Sequence, residues 1–527
     1  MLNLQFIKQN AKKVLTYGVL MAISLLLLRL IIFNFQMIFY PFQLEYREAA
    51  PLTNTILLLK GGNPYDIANQ PENTNVYGIL YPLFVYPFAK LWGATIPVHR
   101  AISTFFIFAA TGLIFWVMRS LKVSLILSIV AAIVFYWHQI LSATFFVKPD
   151  SMGLFLFLAS LVVAWKHKYS WLSLLASIIL GLLGFIAKPY FVLSIPYLCL
   201  YLFLFHSKKK GIYYGFLSFL ATGFTFGILN GLFATYFDNN FFGYLNQRLA
   251  GSGLNYAFYQ SKTYIFENLS IVVILVAFGY ILVKNTILNW HRFRVKEAIA
   301  QKFNLSKFNQ PLIKLDVDLF TFCLLISLVL FYLKLGQHTG NWLAYLYHLV
   351  SPFLIIIAFR LANKLDVNSI ILLLAIIALN LFFIYPQPLF KGQDNYQQWQ
   401  NLRVLISQHE NVLNSPAIAS ILLEQDKKVY DSGQSEYFIL GQKRKIFNIE
   451  LPTDNKIKQR VKDYKQEIAS SIQNQEFDLV VLTQRYSEFV SEDLVKKCYN
   501  YQGEVTVNML AQSWKLDVWR PKESACN

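Results

Sequence analysis

The sequence predicts an α-helical polytopic membrane protein of about eleven transmembrane helices with a small α/β domain at its carboxyl end. The 527 residues are 56% hydrophobic and only 14% charged, a composition too apolar for an ordinary soluble protein. Residues 1–385 hold 29 Lys and Arg but 11 Asp and Glu, whereas residues 386–527 hold 18 of each. The basic excess therefore belongs to the apolar part, which indicates membrane topology and not nucleic-acid binding.

Eleven apolar stretches are long enough to cross the roughly 30 Å hydrocarbon layer as helices. Lys and Arg collect in alternate loops, 19 on one side against nine on the other. By the positive-inside rule the amino terminus is cytoplasmic, and an odd number of spans places the tail outside. The predicted spans are 14–36, 100–118, 123–142, 151–165, 170–187, 190–206, 212–236, 269–284, 317–335, 342–359 and 367–385.

This topology gives a transmembrane domain over residues 1–385 with a long first external loop, residues 37–98. The apolar stretch from Ile79 to Gly93 is short and interrupted by Pro82 and Pro87, so it predicts an interfacial or re-entrant helix.

The tail, residues 386–527, is predicted to form an extracytoplasmic α/β domain of its own. Apolar periodicity predicts helices over 412–423 and 455–474, and strands over 428–431, 477–482, 504–509 and 516–519. Cys498 and Cys526 lie in this tail, and an oxidising compartment would allow them to pair.

Acidic residues on the external side are the first candidates for chemistry. Glu45 and Glu48 follow the first span and are three residues apart, so a helix there would carry both carboxylates on one face. Two neighbouring carboxylates can differ in pKa, and the ionised one can act as a general base. The alternative is a pair of solvated acids balanced by Arg47.

Lysines at the external helix ends are the second set. Lys148 and Asp150 open the fourth span, and Lys188 ends the fifth. Cations at this depth either line a polar cavity, where they can bind a phosphate, or extend to the lipid headgroups. Asp150 is an orienting acid or a helix cap, and Arg248 is a further phosphate candidate.

A late external turn holds further polar residues. His338 lies in it, and Asn341, Tyr345 and His348 follow at helical spacing, as a stripe that faces a cavity or another helix. The chain has no P-loop, dinucleotide glycine fingerprint or metalloprotease helix, so it gives no support for ATP, NAD or protease chemistry.

Taken in order, the external segments resemble the C-type (GT-C) membrane glycosyltransferases, in the bacterial branch related to protein mannosyltransferases and to lipid A and arabinan sugar transferases. The motifs that carry the resemblance are Glu45-Tyr46-Arg47-Glu48-Ala49, Lys60-Gly61-Gly62-Asn63-Pro64-Tyr65, Tyr77-Gly78 with Tyr81-Pro82-Leu83, Lys148-Pro149-Asp150, Ala187-Lys188-Pro189, Gly340-Asn341-Trp342, and the tail segments 429–431 and 477–482.

The resemblance implies an inverting transfer of one sugar from a polyprenyl-phosphate-sugar donor to a glycan, lipid or protein acceptor at the external face of the plasma (inner) membrane. Glu48 matches the family's base best and Glu45 second, although relatives have Asp at position 45. Lys148, Lys188 and Arg248 would contact the phosphate, and His338, Asn341 and Tyr65 the sugar or acceptor. Some branches require a divalent metal and others do not.

Three other functions remain compatible with the same residues. A transporter or flippase of lipid-linked saccharides would use the acids and lysines to bind cargo without chemistry. A glycan polymerase would use a long lipid-linked chain. A catalytically inactive scaffold would keep the fold alone.

Overall fold

The computed structural model is mostly helical, with 73% of its residues in helices, and it ends in a small sheet domain. It describes residues 2–243, 253–276, 279, 312–313, 317–337, 343–383, 392–441, 445–446, 449–450, 455–483, 489–509, 512–524 and 526. Within these residues, five helices are long and apolar enough to cross a membrane: Val14–Phe39, Ile96–Ser120, Pro189–His206, Lys208–Leu232 and Leu319–Gln337. The architecture is compatible with a helical membrane protein.

The helices of the apolar part include the positions of the predicted spans, but the count of eleven spans is not confirmed. They are α1 (Leu2–Phe39), α2 (Ala49–Leu59), α3 (Leu80–Trp92), α4 (Ile96–Ser120), α5 (Leu125–Leu141), α6 (Asp150–Lys166), α7 (Trp171–Ala187), α8 (Ser194–Tyr201), α9 (Lys208–Leu232), α10 (Leu254–Glu267), α11 (Leu319–Leu333), α12 (Ser351–Ala362) and α13 (Val367–Phe383). Of the span predicted at 269–284, the structure describes helical residues 269–276 and 279.

Two long helices present broad apolar faces to the surroundings. On α1, Leu25 and Leu28 are exposed, and on α9 so are Phe216, Phe219 and Phe224. Faces of this size are unfavourable in water, whereas lipid tails solvate them well. These exposed faces are therefore compatible with contact to lipid.

The first loop folds into a turn followed by two helices. Residues 45–48 form the turn, in which the Glu48 amide donates to the Glu45 carbonyl at 3.1 Å, and α2 begins only at Ala49. A helix that carries both Glu45 and Glu48 on one face is therefore wrong, and the two carboxylates meet different partners. The helix predicted between 79 and 93 is confirmed as α3, which contains Pro87.

The tail contains five helices and a four-stranded mixed sheet among its described residues. The helices are α14 (Gly392–Ser407), α15 (Ala419–Glu424), α16 (Ser435–Gly441), α17 (Asn455–Gln473) and α18 (Glu492–Cys498), and the strands are β1 (Val412–Asn414), β2 (Lys445–Ile446), β3 (Ile449–Glu450), β4 (Leu479–Leu482), β5 (Tyr499–Met509) and β6 (Gln512–Pro521). The order in the larger sheet is β1-β4-β6-β5, and β1 pairs with β4 in parallel.

Most predicted tail elements are confirmed, with two exceptions. Residues 412–414 form strand β1 at the start of the predicted helix, because they pair with β4, and residues 428–431 are extended without forming a strand. A disulfide joins Cys498 to Cys526, and this bond attaches the carboxyl end to the end of α18.

The tail packs directly on the first loop. Phe42 stacks on Trp399 of α14 with ring centroids 5.5 Å apart, and both belong to the core of the tail. Gln43 accepts a hydrogen bond from the Ser420 amide at 2.9 Å. Gly433 lies so close that an added Cβ would be 2.6 Å from the Tyr46 carbonyl oxygen. The tail therefore covers the turn that contains Glu45 and Glu48.

Candidate functional site

Glu48 is locked in a fully buried ion pair with Arg100 of α4. The guanidinium donates to both carboxylate oxygens, at 2.9 and 2.7 Å, and neither side chain is exposed to solvent. The backbone amides of Leu44 and Val147 donate to the same carboxylate at 2.6 and 2.9 Å. Glu48 therefore joins α4, the first-loop turn and the segment before α6.

The rest of the Arg100 guanidinium binds the chain just after α1. It donates to the carbonyls of Met37, Tyr40 and Phe42, each at 2.8 Å. Carbonyls at a helix carboxyl end have no partner within the helix, and a cation there is also favoured by the helix dipole. Arg100 thus satisfies these carbonyls and neutralises Glu48 at the same time.

Glu45 lies in a second, separate ionic arrangement. One of its oxygens accepts from Arg47 Nε at 2.6 Å and the other from Lys148 Nζ at 2.8 Å. Burial raises the pKa of Glu45, but the two cations outweigh it and hold that pKa below its ordinary value. Glu45 is only 1% exposed, whereas the side chains of Arg47 and Lys148 are each 15% exposed.

Asp150 and Lys188 form a third pair beside the second. Lys188 Nζ donates to Asp150 Oδ1 at 2.8 Å. The ammonium also lies 5.0 Å from the ring centre of Tyr77 and 5.2 Å from that of Tyr190, a cation–π arrangement that supports a partly buried charge. Lys148 acts electrostatically on both members of this pair.

These two arrangements make one ionic cluster, which we define as Glu45, Arg47, Lys148, Asp150 and Lys188. It holds three cations and two carboxylates, so one positive charge is in excess. A buried charge without a counter-ion is unfavourable. The ionic cluster is therefore suited to bind an anion.

His348 lies at the edge of the ionic cluster. It belongs to the π-helical segment Leu346–Val350, a geometry that often occurs at functional sites. Its Nδ1 is 2.6 Å from the Tyr190 hydroxyl and 3.8 Å from Asp150 Oδ1. The predicted polar stripe thus does place His348 in a polar environment inside the bundle.

The tail supplies one wall near the ionic cluster. Tyr437 of α16 packs with Val76 and Tyr77 of the first loop, and it interacts electrostatically with Arg47. Gln434 accepts from the Val76 amide at 2.6 Å. A molecule that reaches the ionic cluster from the tail side would therefore meet α16.

The other predicted site residues lie elsewhere. Tyr65 is fully buried, its hydroxyl donates to the Tyr77 carbonyl at 2.5 Å, and its ring packs against Phe233 and Tyr236 after α9. Arg248, His338 and Asn341 lie outside the described residues.

The sequence reasoning missed two residues that the structure brings to the centre. Arg100 and Tyr190 lie at the ends of apolar segments, where a charge or a hydroxyl needs a partner. The energetic cost of leaving such a group unpaired could have marked both residues as important. Their partners could not be found in the same way, because Glu48 is 52 residues from Arg100 and His348 is 158 residues from Tyr190.

The donor set of the ionic cluster does not fit a divalent metal. Within the described part of the chain, no three His, Cys, Asp or Glu side chains gather as metal ligands. Glu45 and Asp150 are each bound to an ammonium group, and these neighbouring cations repel a metal ion.

Comparison with known proteins gives no relative for this arrangement. The chain matches no family model, no curated protein and no solved structure.

Proposed function

We propose that the chain is a C-type membrane glycosyltransferase, which moves a single sugar from a polyprenyl-phosphate-sugar donor to a glycan, lipid or protein acceptor. The observation that carries this proposal is the ionic cluster with its excess positive charge. A lipid phosphate supplies the missing negative charge, and Lys and Arg bind its oxygens strongly when water is excluded. The order of external motifs that resembles this family points the same way.

The proposal includes eleven spans, a cytoplasmic amino terminus and an external tail. The asymmetry of basic residues between the two sets of loops supports this topology. The disulfide between Cys498 and Cys526 supports an external tail as well, because disulfides persist in oxidising compartments. We assign the protein to the plasma (inner) membrane.

In the proposed reaction, Glu45 takes the proton of the acceptor hydroxyl. The acceptor oxygen bonds to the anomeric carbon while the bond from that carbon to the phosphate oxygen breaks. The configuration inverts, and polyprenyl phosphate leaves with the electron pair. Lys148 and Lys188 stabilise the charge that develops on this leaving group.

Glu45 suits the base role better than Glu48, the residue that the sequence favoured. All Glu48 oxygens are held by Arg100 and by backbone amides. One Glu45 oxygen is held by Lys148 at 2.8 Å and by the Arg47 backbone amide at 3.3 Å, and a donor phosphate competes for the ammonium group. Donor binding would therefore leave this oxygen with the longer amide contact alone and make it available to accept the proton.

The test is a deletion strain complemented with wild type, Glu45→Gln, Lys188→Gln or the control Glu467→Gln, an exposed tail residue. Mass spectrometry measures polyprenyl-phosphate sugars and surface glycans. We expect one monosaccharide-lipid to accumulate and one glycan to lose a single residue in the deletion, Glu45→Gln and Lys188→Gln strains. The control should restore the wild-type profile.

Other outcomes separate the rival functions. Loss of a polymer with no change in any single-residue linkage would favour a glycan polymerase. Normal glycans in the Glu45→Gln strain would show that Glu45 is not a catalytic base and would favour a transporter or a scaffold. A flippase would be indicated if the donor lipid accumulates on the cytoplasmic side alone.

A further inference from the structure

Three buried polar atoms beside the ionic cluster have no hydrogen-bond partner within the described residues: Asp150 Oδ2, Ser151 Oγ and His348 Nε2. Asp150 is 5% exposed and the other two residues are 1% exposed. Buried polar groups are nearly always hydrogen-bonded in proteins. Other buried polar atoms of the described residues also lack a partner, but Asp150 and His348 meet at the ionic cluster, with His348 Nδ1 3.8 Å from Asp150 Oδ1, and this position points to a bound group.

The three residues are neighbours in the chain or in space. Asp150 and Ser151 are consecutive at the start of α6, and His348 Nδ1 is 3.8 Å from the other Asp150 oxygen. The Tyr190 hydroxyl, 2.6 Å from Nδ1, fixes the orientation of the imidazole ring. When that hydroxyl donates to Nδ1, the neutral ring carries its hydrogen on Nε2 and can donate from there.

We infer that Asp150 Oδ2, Ser151 Oγ and His348 Nε2 bind hydroxyl groups of the sugar that is transferred, an inference that rests on the proposed function. A carboxylate oxygen only accepts, the imidazole donates, and the serine hydroxyl does both. Neighbouring sugar hydroxyls each donate and accept, so they match this set. A phosphodiester does not match the set, because its oxygens only accept and have no hydrogen to donate to Asp150 Oδ2.

The sugar subsite lies next to Lys188, which is proposed to bind the donor phosphate. Asp150 uses its Oδ1 to hold Lys188, so one carboxylate joins the phosphate-binding cation to the sugar subsite. The ring of Tyr190 packs against Tyr345 with centroids 5.1 Å apart, and such rings suit the apolar face of a sugar.

The test measures lipid binding to the purified full-length protein in nanodiscs. The probes are undecaprenyl phosphate alone and undecaprenyl phosphate linked to glucose, galactose, mannose or arabinose. The variants are Ser151→Ala and His348→Ala. Ser194→Ala is the matched control, because Ser194 is also a buried serine but its hydroxyl lies beside Gly181 within α7 and not beside Asp150 or His348.

We expect wild type to bind one sugar-linked lipid more tightly than bare undecaprenyl phosphate. Each variant should weaken binding of that lipid about five- to tenfold, as for loss of one hydrogen bond, and leave binding of the bare lipid unchanged. Ser194→Ala should change neither. Ser151→Ala removes only one hydroxyl group, so the test does not depend on the folding of the histidine variant.

Two results would overturn the inference while the donor site stands. In one, wild type binds bare and sugar-linked lipids equally, which assigns the three atoms to ordered water. In the other, the variants weaken both kinds of lipid alike. Failure of wild type to bind even bare undecaprenyl phosphate would instead reject the proposed function.

Discussion

Replacing Arg100 by Met is expected to destabilise the protein more than loss of any surface cation. The change leaves the Glu48 carboxylate charged, buried and unpaired, and breaking a buried pair in this way costs about 3–5 kcal/mol. The carbonyls of Met37, Tyr40 and Phe42 also lose a donor. The expected loss of unfolding free energy is therefore on the order of 5 kcal/mol.

The assay is unfolding of the purified protein in detergent, with Arg100→Met, Glu48→Leu and the double variant. We expect the double variant to lose less unfolding free energy than the two single variants together, by at least about 1 kcal/mol, because the two residues interact directly. Lys60→Met is the control, since Lys60 forms an exposed pair with Asp426 and should lose about 1 kcal/mol at most. If the two single losses add up to the loss of the double variant within about 0.5 kcal/mol, the buried pair is refuted.

Three further predictions concern the tail and the first-loop turn. Gly433→Ala should lower stability by about 1–3 kcal/mol and reduce transfer, whereas Gly503→Ala, at a similar positive φ but in open space, should change only stability. Replacing Cys498 and Cys526, which are 28 residues apart, by serine should lower the free energy of unfolding under non-reducing conditions by about 3–4 kcal/mol. An unchanged midpoint of unfolding would contradict this prediction. The pKa of Glu45 lies below its ordinary value of 4.5, so the ionised carboxylate stabilises the fold fully only above pH 4.5. The melting-temperature difference between wild type and Glu45→Gln should therefore shrink as pH falls below 4.5, and a constant difference would contradict this prediction.

The sequence predicts the helices well, because each apolar run long enough for a span has only one way to satisfy its backbone in lipid. It also brings Glu45, Lys148, Asp150 and Lys188 to one side through the alternation of basic loops. It does not predict the partner of Glu48. The contact with Arg100 spans 52 residues and depends on how α4 packs, which no local spacing encodes.

The two first-loop acids differ in what can be displaced from them. Glu48 is held by backbone amides and by a guanidinium fixed among three carbonyls, so no ligand can remove its partners without unfolding the turn. Glu45 has one longer backbone contact, from the Arg47 amide at 3.3 Å, and its two short contacts come from the flexible, partly exposed side chains of Arg47 and Lys148, which a phosphate can recruit. A substrate can therefore change the state of Glu45 but not that of Glu48. A general base has to exchange its partners during the reaction, which Glu45 can do. A residue that fixes the backbone of the turn has to keep its partners, as Glu48 does.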